Sequence, residues 1–536
     1  MDRILSVCIL GLVSILILHG ITVGEFSING MDETVHAVTG LYFSDVLRDL
    51  PIFNPIQYTY NYYAQFPALG LILWPPLFHF TEGVVFLLLG PSVVTARITI
   101  WIFAVVGLAF WFKLVRKLQN RWTAALATFI LGTVPLTLFY EKAVMLEIPA
   151  LALAIAATYF WLQFLNEENY RRLYWFAACF GLALLTKQNT IYIVPFCTFT
   201  LLYTRQWKLL LNRRTATAAG LLCVITGPFY IVAFKTTWGI IADNVMDRAI
   251  DSPLTFYWRE LPHQLGLPVL VVSVIGVTFH LLWGRRDLAA PMIMWILACA
   301  VTMTAFAGKE SRYIIYWVPP FSYFAACALT LKWPLIWGRR IQAGIGAILI
   351  LGGTAAAWRF QRPYVRGYEA LARQITDTHD SGIILYDGGL HGNFIFFLRS
   401  HDPERRFVVM RKALYVLQIT KEYGDSRELV QSDSELQELI RRYGIKYVIV
   451  STGYPIVFEI QARLRGLLKT PQFRLVRSFP IESKGSGPED GALLLYENKA
   501  VVPRSEDRLR LEMVTMSRGI EVSLDDVLGA EAAAKR

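Results

Sequence analysis

The chain has 536 residues, 55% of them hydrophobic and only 17% charged, and its mean hydropathy is +0.42. So little charge does not cover so much apolar side chain in water, which excludes a soluble globular protein and points to the lipid bilayer as solvent. The net charge of +11 sits in short loops between apolar runs, a cytoplasmic-loop pattern that argues against a nucleic-acid partner.

Met1, Asp2 and Arg3 precede an apolar run from Ile4 to Val23. It lacks a convincing small-residue cleavage site and reads as an uncleaved first span. A spanning helix needs about 20 apolar residues, and the sequence predicts about eleven spans. They lie near 4–24, 94–112, 123–140, 148–165, 173–186, 190–204, 216–234, 267–284, 289–307, 313–331 and 341–358. The six cysteines all fall within apolar segments without CxxC spacing, so they read as small buried residues rather than disulfide or zinc ligands.

Alternate loops are basic: Arg3; Lys113, Arg116, Lys117 and Arg121; Arg171 and Arg172; Arg205, Lys208, Arg213 and Arg214; Arg285 and Arg286; Lys332, Arg339 and Arg340. The positive-inside rule puts these in the cytoplasm and the acid-bearing loops outside. Only an odd number of spans between His79 and Phe112 keeps that parity. Phe78–Gly90 is therefore read as an interfacial or re-entrant helix, broken at Gly90-Pro91, ahead of a true span.

Beyond Trp358 the composition changes. Strands are predicted at Ile383–Tyr386, Phe407–Met410, Tyr447–Val450, Phe473–Phe479 and Ala492–Tyr496, and helices at Asn393–Arg399 and Ser434–Tyr443. That alternation predicts a small α/β domain. The expected organisation is a membrane domain over 1–358, an extracytoplasmic α/β domain over 359–500 and a charged tail over 501–536, loosely ordered or helical.

Ionisable side chains near a membrane are costly and mark function. Here they gather in the outer loops: Asp32 and Glu33; Lys142 and Glu147; Lys187; Lys309, Glu310 and Arg312. A carboxylate such as Asp32 or Glu33 takes a proton from an attacking hydroxyl or holds a divalent metal, and the same pair also suits an ordinary solvated loop. Lys187 closes the apolar run Gly181–Thr186. It reads either as a partner for a phosphate or as a lysine snorkelling to the interface. Arg97 and Arg312 offer guanidinium groups for the same phosphate. The loop Trp238–Pro262, with Asp243, Asp247, Arg248, Asp251, Tyr257 and Trp258, has the aromatic and acidic character of a sugar or acceptor pocket, and equally that of an interface loop. Tyr386-Asp387-Gly388-Gly389 reads better as a turn than as a phosphate loop.

Several segments occur in a telling order. Asp32-Glu33 is followed by Trp74-Pro75-Pro76-Leu77 and Thr95-Ala96-Arg97-Ile98. Next come Lys142 through Glu147-Ile148-Pro149, Gly181 through Thr186-Lys187, Arg312-Tyr313 and Pro319-Pro320. Over roughly residues 1–335 this resembles the C-fold membrane glycosyltransferases of the protein O-mannosyltransferase and aminoarabinose-transferase type. The resemblance implies a polyprenyl- or dolichyl-phosphate-linked sugar as donor and an inverting transfer to a glycan, lipid or protein. It makes Asp32 the catalytic base or its partner, Glu33 its neighbour and Glu147 the second-loop acid. It also implies phosphate contacts from Lys187, Arg97, Arg312 and Lys142. Where the family commonly has Asp, with Arg five residues earlier, this chain has Glu147 and Lys142. That change leaves open whether Asp32 and Glu147 hold a divalent metal, Mg or Mn. Trp74 stands where the family has His or Lys before Pro-Pro-Leu. His79 is either its substitute in the acceptor pocket or a chance histidine beside an aromatic anchor.

The expected fold is thus a polytopic α-helical membrane protein of the C-fold glycosyltransferase type with a soluble α/β domain. The compact loops suit a bacterial inner membrane with an extracytoplasmic site. The rival reading is a transporter or flippase of a lipid-linked or small polar substrate. Transporters show repeats and mid-membrane charges, whereas here no repeat is visible and the ionisable groups crowd the outer loops.

Overall fold

A computed structural model describes residues 2–27, 32–248, 254–282, 286–306, 308–332, 338–378, 380–418, 426–485, 491–513 and 518–528; residues 237–248, 417–418, 426–427, 512–513 and 518 are described by backbone alone. Arg285 and Asp251, and the side chains of Trp238, Asp243, Asp247 and Arg248, lie outside the described residues. The chain divides into two compact units. One comprises Met1–Ile21, Ile72–Phe78 and Arg97–Arg362, the other Thr22–Leu71, His79–Ala96 and Pro363–Arg536.

The first unit is helical. Each apolar run of the sequence carries helix, but five helices among the described residues are individually long and apolar enough to cross a membrane: Val93–Leu118, Glu147–Glu167, Arg213–Thr236, Arg286–Ala305 and Gly338–Arg359. The pair Phe256–Leu265 and Leu267–Leu282, bent by 111°, makes a sixth if it is one span. The other runs are shorter or divided, for local reasons. The run at 123–140 splits into Arg121–Leu131 and Pro135–Tyr140 because Pro135 starts a new helix. The run at 313–331 splits into the tight turn Ser311–Trp317 and Val318–Thr330, with proline at the head of the second helix. Small residues allow close packing, as in other membrane bundles. A Cβ on Gly107 would lie 2.9 Å from Ala152, and one on Gly276 would strike the Phe324 backbone.

The second unit contains a five-stranded sheet. Its order is Phe407–Arg411, Gly382–Asp387, Ile445–Ser451, Ala492–Asn498, Phe473–Pro480. The first three strands are parallel and the last two join antiparallel. The predicted helices are present as His391–His401 and Asp433–Arg442, and two more, Tyr368–Thr376 and Glu459–Leu467, accompany them. Asp387 at the end of its strand accepts from Gln461 Nε2 (2.6 Å) and Arg465 Nη1 (2.9 Å), so this turn is occupied by its own chain.

The charged tail departs from expectation. Within it Arg508–Met513 and Arg518–Ser523 form an antiparallel pair, with Leu509 opposite Val522 and Leu511 opposite Ile520. Alternating apolar residues of period two outweigh the high charge of the segment.

The segment that follows the first helix belongs to this second unit. Asn393 Nδ2 donates to the Phe26 carbonyl (2.7 Å), and Glu25 accepts from the backbone amides of Gly367, Tyr368 and Glu369 at 3.1–3.2 Å. Asp45, on the helix Asp32–Asp49, is gripped by Arg399 through Nε (2.8 Å) and Nη2 (2.5 Å) and by the Tyr62 hydroxyl (2.9 Å). Both members of that ion pair are buried. The pair fixes the helix that begins with Asp32 to the helix His391–His401.

Candidate functional site

In the helical unit, Glu147, Lys187 and Arg312 come together. Glu147 opens the helix Glu147–Glu167 and is 1% exposed. A carboxylate there faces the unpaired amides of the first turn, which favour its charge. Lys187 follows the helix Tyr170–Leu184 on an extended backbone, φ −157° and ψ 130°. That swing takes it out of the helix and sends Nζ to Glu147 Oε1 at 2.5 Å. Arg312, in the turn Ser311–Trp317, places Nε 3.5 Å from the same oxygen and 2.6 Å from Glu310 Oε2. The second Glu147 oxygen, Oε2, has no hydrogen-bond partner among the described residues.

Lys187 and Arg312 both lie between apolar runs. Burial pulls the Lys187 ammonium below the ordinary lysine range, and Glu147 pulls it partly back. Burial likewise opposes the charge of Arg312, and Glu147 with Glu310 more than restores it. Tyr313 lies under both cations, 5.6 Å from Lys187 Nζ and 6.0 Å from the Arg312 guanidinium carbon. The result is one buried and one part-buried cation aimed at one carboxylate, an arrangement suited to receiving an anion.

Two neighbouring segments are attached to this cluster. The Pro-Pro-Leu segment is strapped to the Lys187 loop by the Leu77 amide on the Leu185 carbonyl (2.9 Å) and by Gln188 Nε2 on the Leu73 carbonyl (3.3 Å). Trp74 lies in that strap. The helix Phe256–Leu265 brings Tyr257 edge-on to Trp317 (5.2 Å) and stacks Trp258 on it (5.9 Å). Trp317 shares its turn with Arg312, and Trp258 remains 52% exposed. An open aromatic face next to these cations suits a sugar beside its phosphate.

Arg97 and Lys142 take different partners. Arg97 Nη1 donates to the Ile21 carbonyl (2.5 Å) and Lys142 Nζ to the His19 carbonyl (2.8 Å). Lys142 also lies over the Phe360 ring. Both bases therefore satisfy carbonyls just beyond the helix Asp2–Leu18, where a helix end presents partial negative charge.

In the other unit, Asp32 and Glu33 open the helix Asp32–Asp49; Asp32 is half-buried and Glu33 fully buried. Glu33 Oε2 accepts from the Ser27 amide at 2.9 Å. Beside it stands Glu82, 0% exposed, with neither carboxyl oxygen bonded among the described residues. Burial, and then Glu33, hold the Glu82 carboxyl well above the usual carboxylate range. His36 Nδ1 and His79 Nε2 are 2.9 Å apart. Glu33 and His36 are three apart on one helix, and His79 and Glu82 three apart on the next, so each pair shares a face. Glycine makes the crossing close. A Cβ on Gly40 would lie 2.4 Å from Glu82 Oε2, and one on Gly83 would lie 2.8 Å from the Ser44 amide nitrogen.

Among the described residues no three His, Cys, Asp or Glu side chains are gathered to hold a metal ion. Glu147 Oε1 is engaged by cations instead. Sequence reasoning passed over Trp317, His36 and Glu82. The i, i+3 spacing of the acid–histidine pairs was the signal for the last two.

The profile of the dolichyl-phosphate-mannose-protein mannosyltransferase family matches residues 74–231, a stretch that includes Glu147 and Lys187. No curated protein sequence matches the chain. Among solved structures, ArnT from Cupriavidus metallidurans bound to undecaprenyl phosphate superposes with a TM-score of 0.63 at 14% identity, covering 94% of this chain and 99% of that one. The same protein in the apo state gives 0.62 at 15% identity, covering 93% and 99%. The arabinofuranosyltransferase AftD from Mycobacteria gives 0.52 at 15% identity, covering 95% of this chain and 40% of that one. The chain has the fold of the C-fold membrane glycosyltransferases, an integral membrane architecture joined to a strand-containing C-terminal domain.

Proposed function

We propose that the chain is a membrane glycosyltransferase that moves a sugar from a polyprenyl-phosphate carrier to an extracytoplasmic glycan, lipid or protein. The observation that carries this reading is the Lys187–Glu147–Arg312 cluster within that fold. The solved ArnT structure holds undecaprenyl phosphate, and the same class of lipid phosphate is the carrier assigned here.

The reaction is one displacement. An acceptor hydroxyl or amine attacks the anomeric carbon as the bond from that carbon to the phosphate oxygen breaks. The electron pair stays on the lipid phosphate, where Lys187 and Arg312 meet the growing charge. Lipid phosphate is a fair leaving group, so no general acid is required. The acceptor proton passes to a carboxylate base, the role that the family resemblance gives to Asp32. A single displacement inverts the anomeric centre. Tyr257 and Trp258 offer the sugar an aromatic face. Arg97 and Lys142 are assigned to the end of the first helix rather than to the phosphate. The site faces the outside of a bacterial inner membrane, in keeping with the loop charges.

The test compares envelope glycans, lipids and proteins by mass spectrometry in cells with the native chain, without it, and with Asp32→Asn at equal abundance. The reading requires one sugar modification that vanishes in both altered strains, with transfer reduced on the order of 10²–10⁴-fold by the Asn variant. Transfer unchanged by Asp32→Asn removes the enzyme as drawn, and substrate movement without transfer replaces it with a transporter.

A further inference from the structure

The second unit contains a cavity of about 610 Å³ that the proposed reaction does not use. Its wall includes Arg366, Arg373 and His401 together with the chain around Val93. Val93 opens the apolar helix Val93–Leu118. Thr22 to Glu25, also in the wall, follow closely on the helix Asp2–Leu18. Chain passes through this cavity on its way into and out of apolar helices, so the cavity belongs near the depth of lipid headgroups.

Its charge is unevenly spent. Glu25 gives its oxygens to three backbone amides at the head of the helix Tyr368–Thr376 and has little left to offer the arginines. Glu369 is the acid facing the bases, bound by Arg373 through Nε (3.1 Å) and Nη2 (2.7 Å), with His401 Nε2 3.3 Å away. Those partners, His401 first, hold its carboxyl down to about 2. Arg366 pairs at the rim with Glu482 (3.2 Å), and the side chains of Arg366 and Arg373 stay about half exposed. One carboxylate thus bridges Arg373 and His401 where an entering anion can take its place.

We propose that this cavity binds a phosphate-bearing headgroup through Arg366, Arg373 and His401, with Glu369 as the internal anion it displaces. Guanidinium pairs match phosphate geometry. The volume suits a ligand of headgroup size rather than a folded partner. The assignment does not depend on sugar transfer. A lipid phosphomonoester and a free phosphate share the chemistry, and the experiment separates them.

The full chain, carrying Lys187→Gln so that the other cationic cluster does not contribute, is placed in neutral phosphatidylcholine nanodiscs. It is titrated by calorimetry with dioctanoyl phosphatidic acid, dioctanoyl phosphatidylcholine and inorganic phosphate. Saturable binding of phosphatidic acid is expected, weakened at least about tenfold by Arg366→Gln with Arg373→Gln. Because both arginines are half exposed, the thermal transition of that variant should match its parent. Ala370→Trp, which fills the cavity without touching charge, should weaken binding equally and guards against a general surface effect. Tighter binding of phosphatidic acid than of phosphate identifies a lipid headgroup as the ligand, and equal binding identifies the anion itself. Absence of saturable binding by either, retention by both altered proteins, or equal binding of phosphatidylcholine overturns the assignment.

Discussion

The two ionic centres use buried carboxylates in opposite ways. In the helical unit Glu147 lies between two cations, and the cluster can exchange partners with an anion. In the other unit Glu82 faces Glu33, and two acids inside a protein cannot both ionise. Burial and then Glu33 push the Glu82 carboxyl well above the usual carboxylate range, which favours its neutral form, and it fills a slot that Gly40 leaves open. Acid against base makes a receptor for charge. Acid against acid makes a fixed helix crossing, and that crossing steadies the helix headed by Asp32. The same residue type thus serves chemistry in one place and geometry in the other.

The contrast breaks most visibly at Glu147. Glu147→Gln leaves the Lys187 ammonium buried without its carboxylate, while Arg312 keeps Glu310, at a cost of about 3–5 kcal/mol, read as a large fall in thermal stability or yield. Glu25 gives the next effect, through pH. Burial outweighs its three amide bonds and pushes its carboxyl up to about 7 from 4.5. A raised folded value stabilises the protein below pH 4.5, and that stability is lost as pH rises through 7. The loss is at most about 3 kcal/mol, and a Glu25→Gln protein should show a flatter melting profile over that window. Gly83→Ala drives a methyl toward the Ser44 backbone and should cost about 1–3 kcal/mol in unfolding while lowering transfer, because the Asp32 helix shifts. Glu82→Gln is the smallest change. A neutral amide replaces a neutral acid, so stability should move by less than about 1 kcal/mol. A Glu82→Gln protein as damaged as Glu147→Gln would erase the distinction between the two centres.

Much of the fold was legible because periodicity reports burial directly. Each predicted strand and helix of the α/β domain is present within a few residues of its expected ends. The hairpin at Arg508–Met513 was hidden by its charge, since four alternating apolar residues are a weak signal among so many polar ones. The helical runs were legible as apolar segments, but their breaks near Gly132 and Trp317 depend on local backbone turns. For the site, a base beside an apolar run suits a phosphate or a helix end equally well. Residue type alone did not separate Lys187, which reaches a carboxylate, from Lys142 and Arg97, which reach carbonyls. Glu82 was missed for a related reason. An acid in an apolar helix announces burial, but not whether its neighbour is a cation or another acid.

The central claim is that the cationic cluster steadies a departing lipid phosphate. Single-turnover release of sugar from the carrier, with donor saturating, measures this directly in the native protein and in Lys187→Gln and Lys187→Arg. The account predicts a loss on the order of 10²–10³-fold for Gln, partial recovery for Arg, and an unchanged melting profile for Arg. Release by Lys187→Gln at the native rate would contradict it.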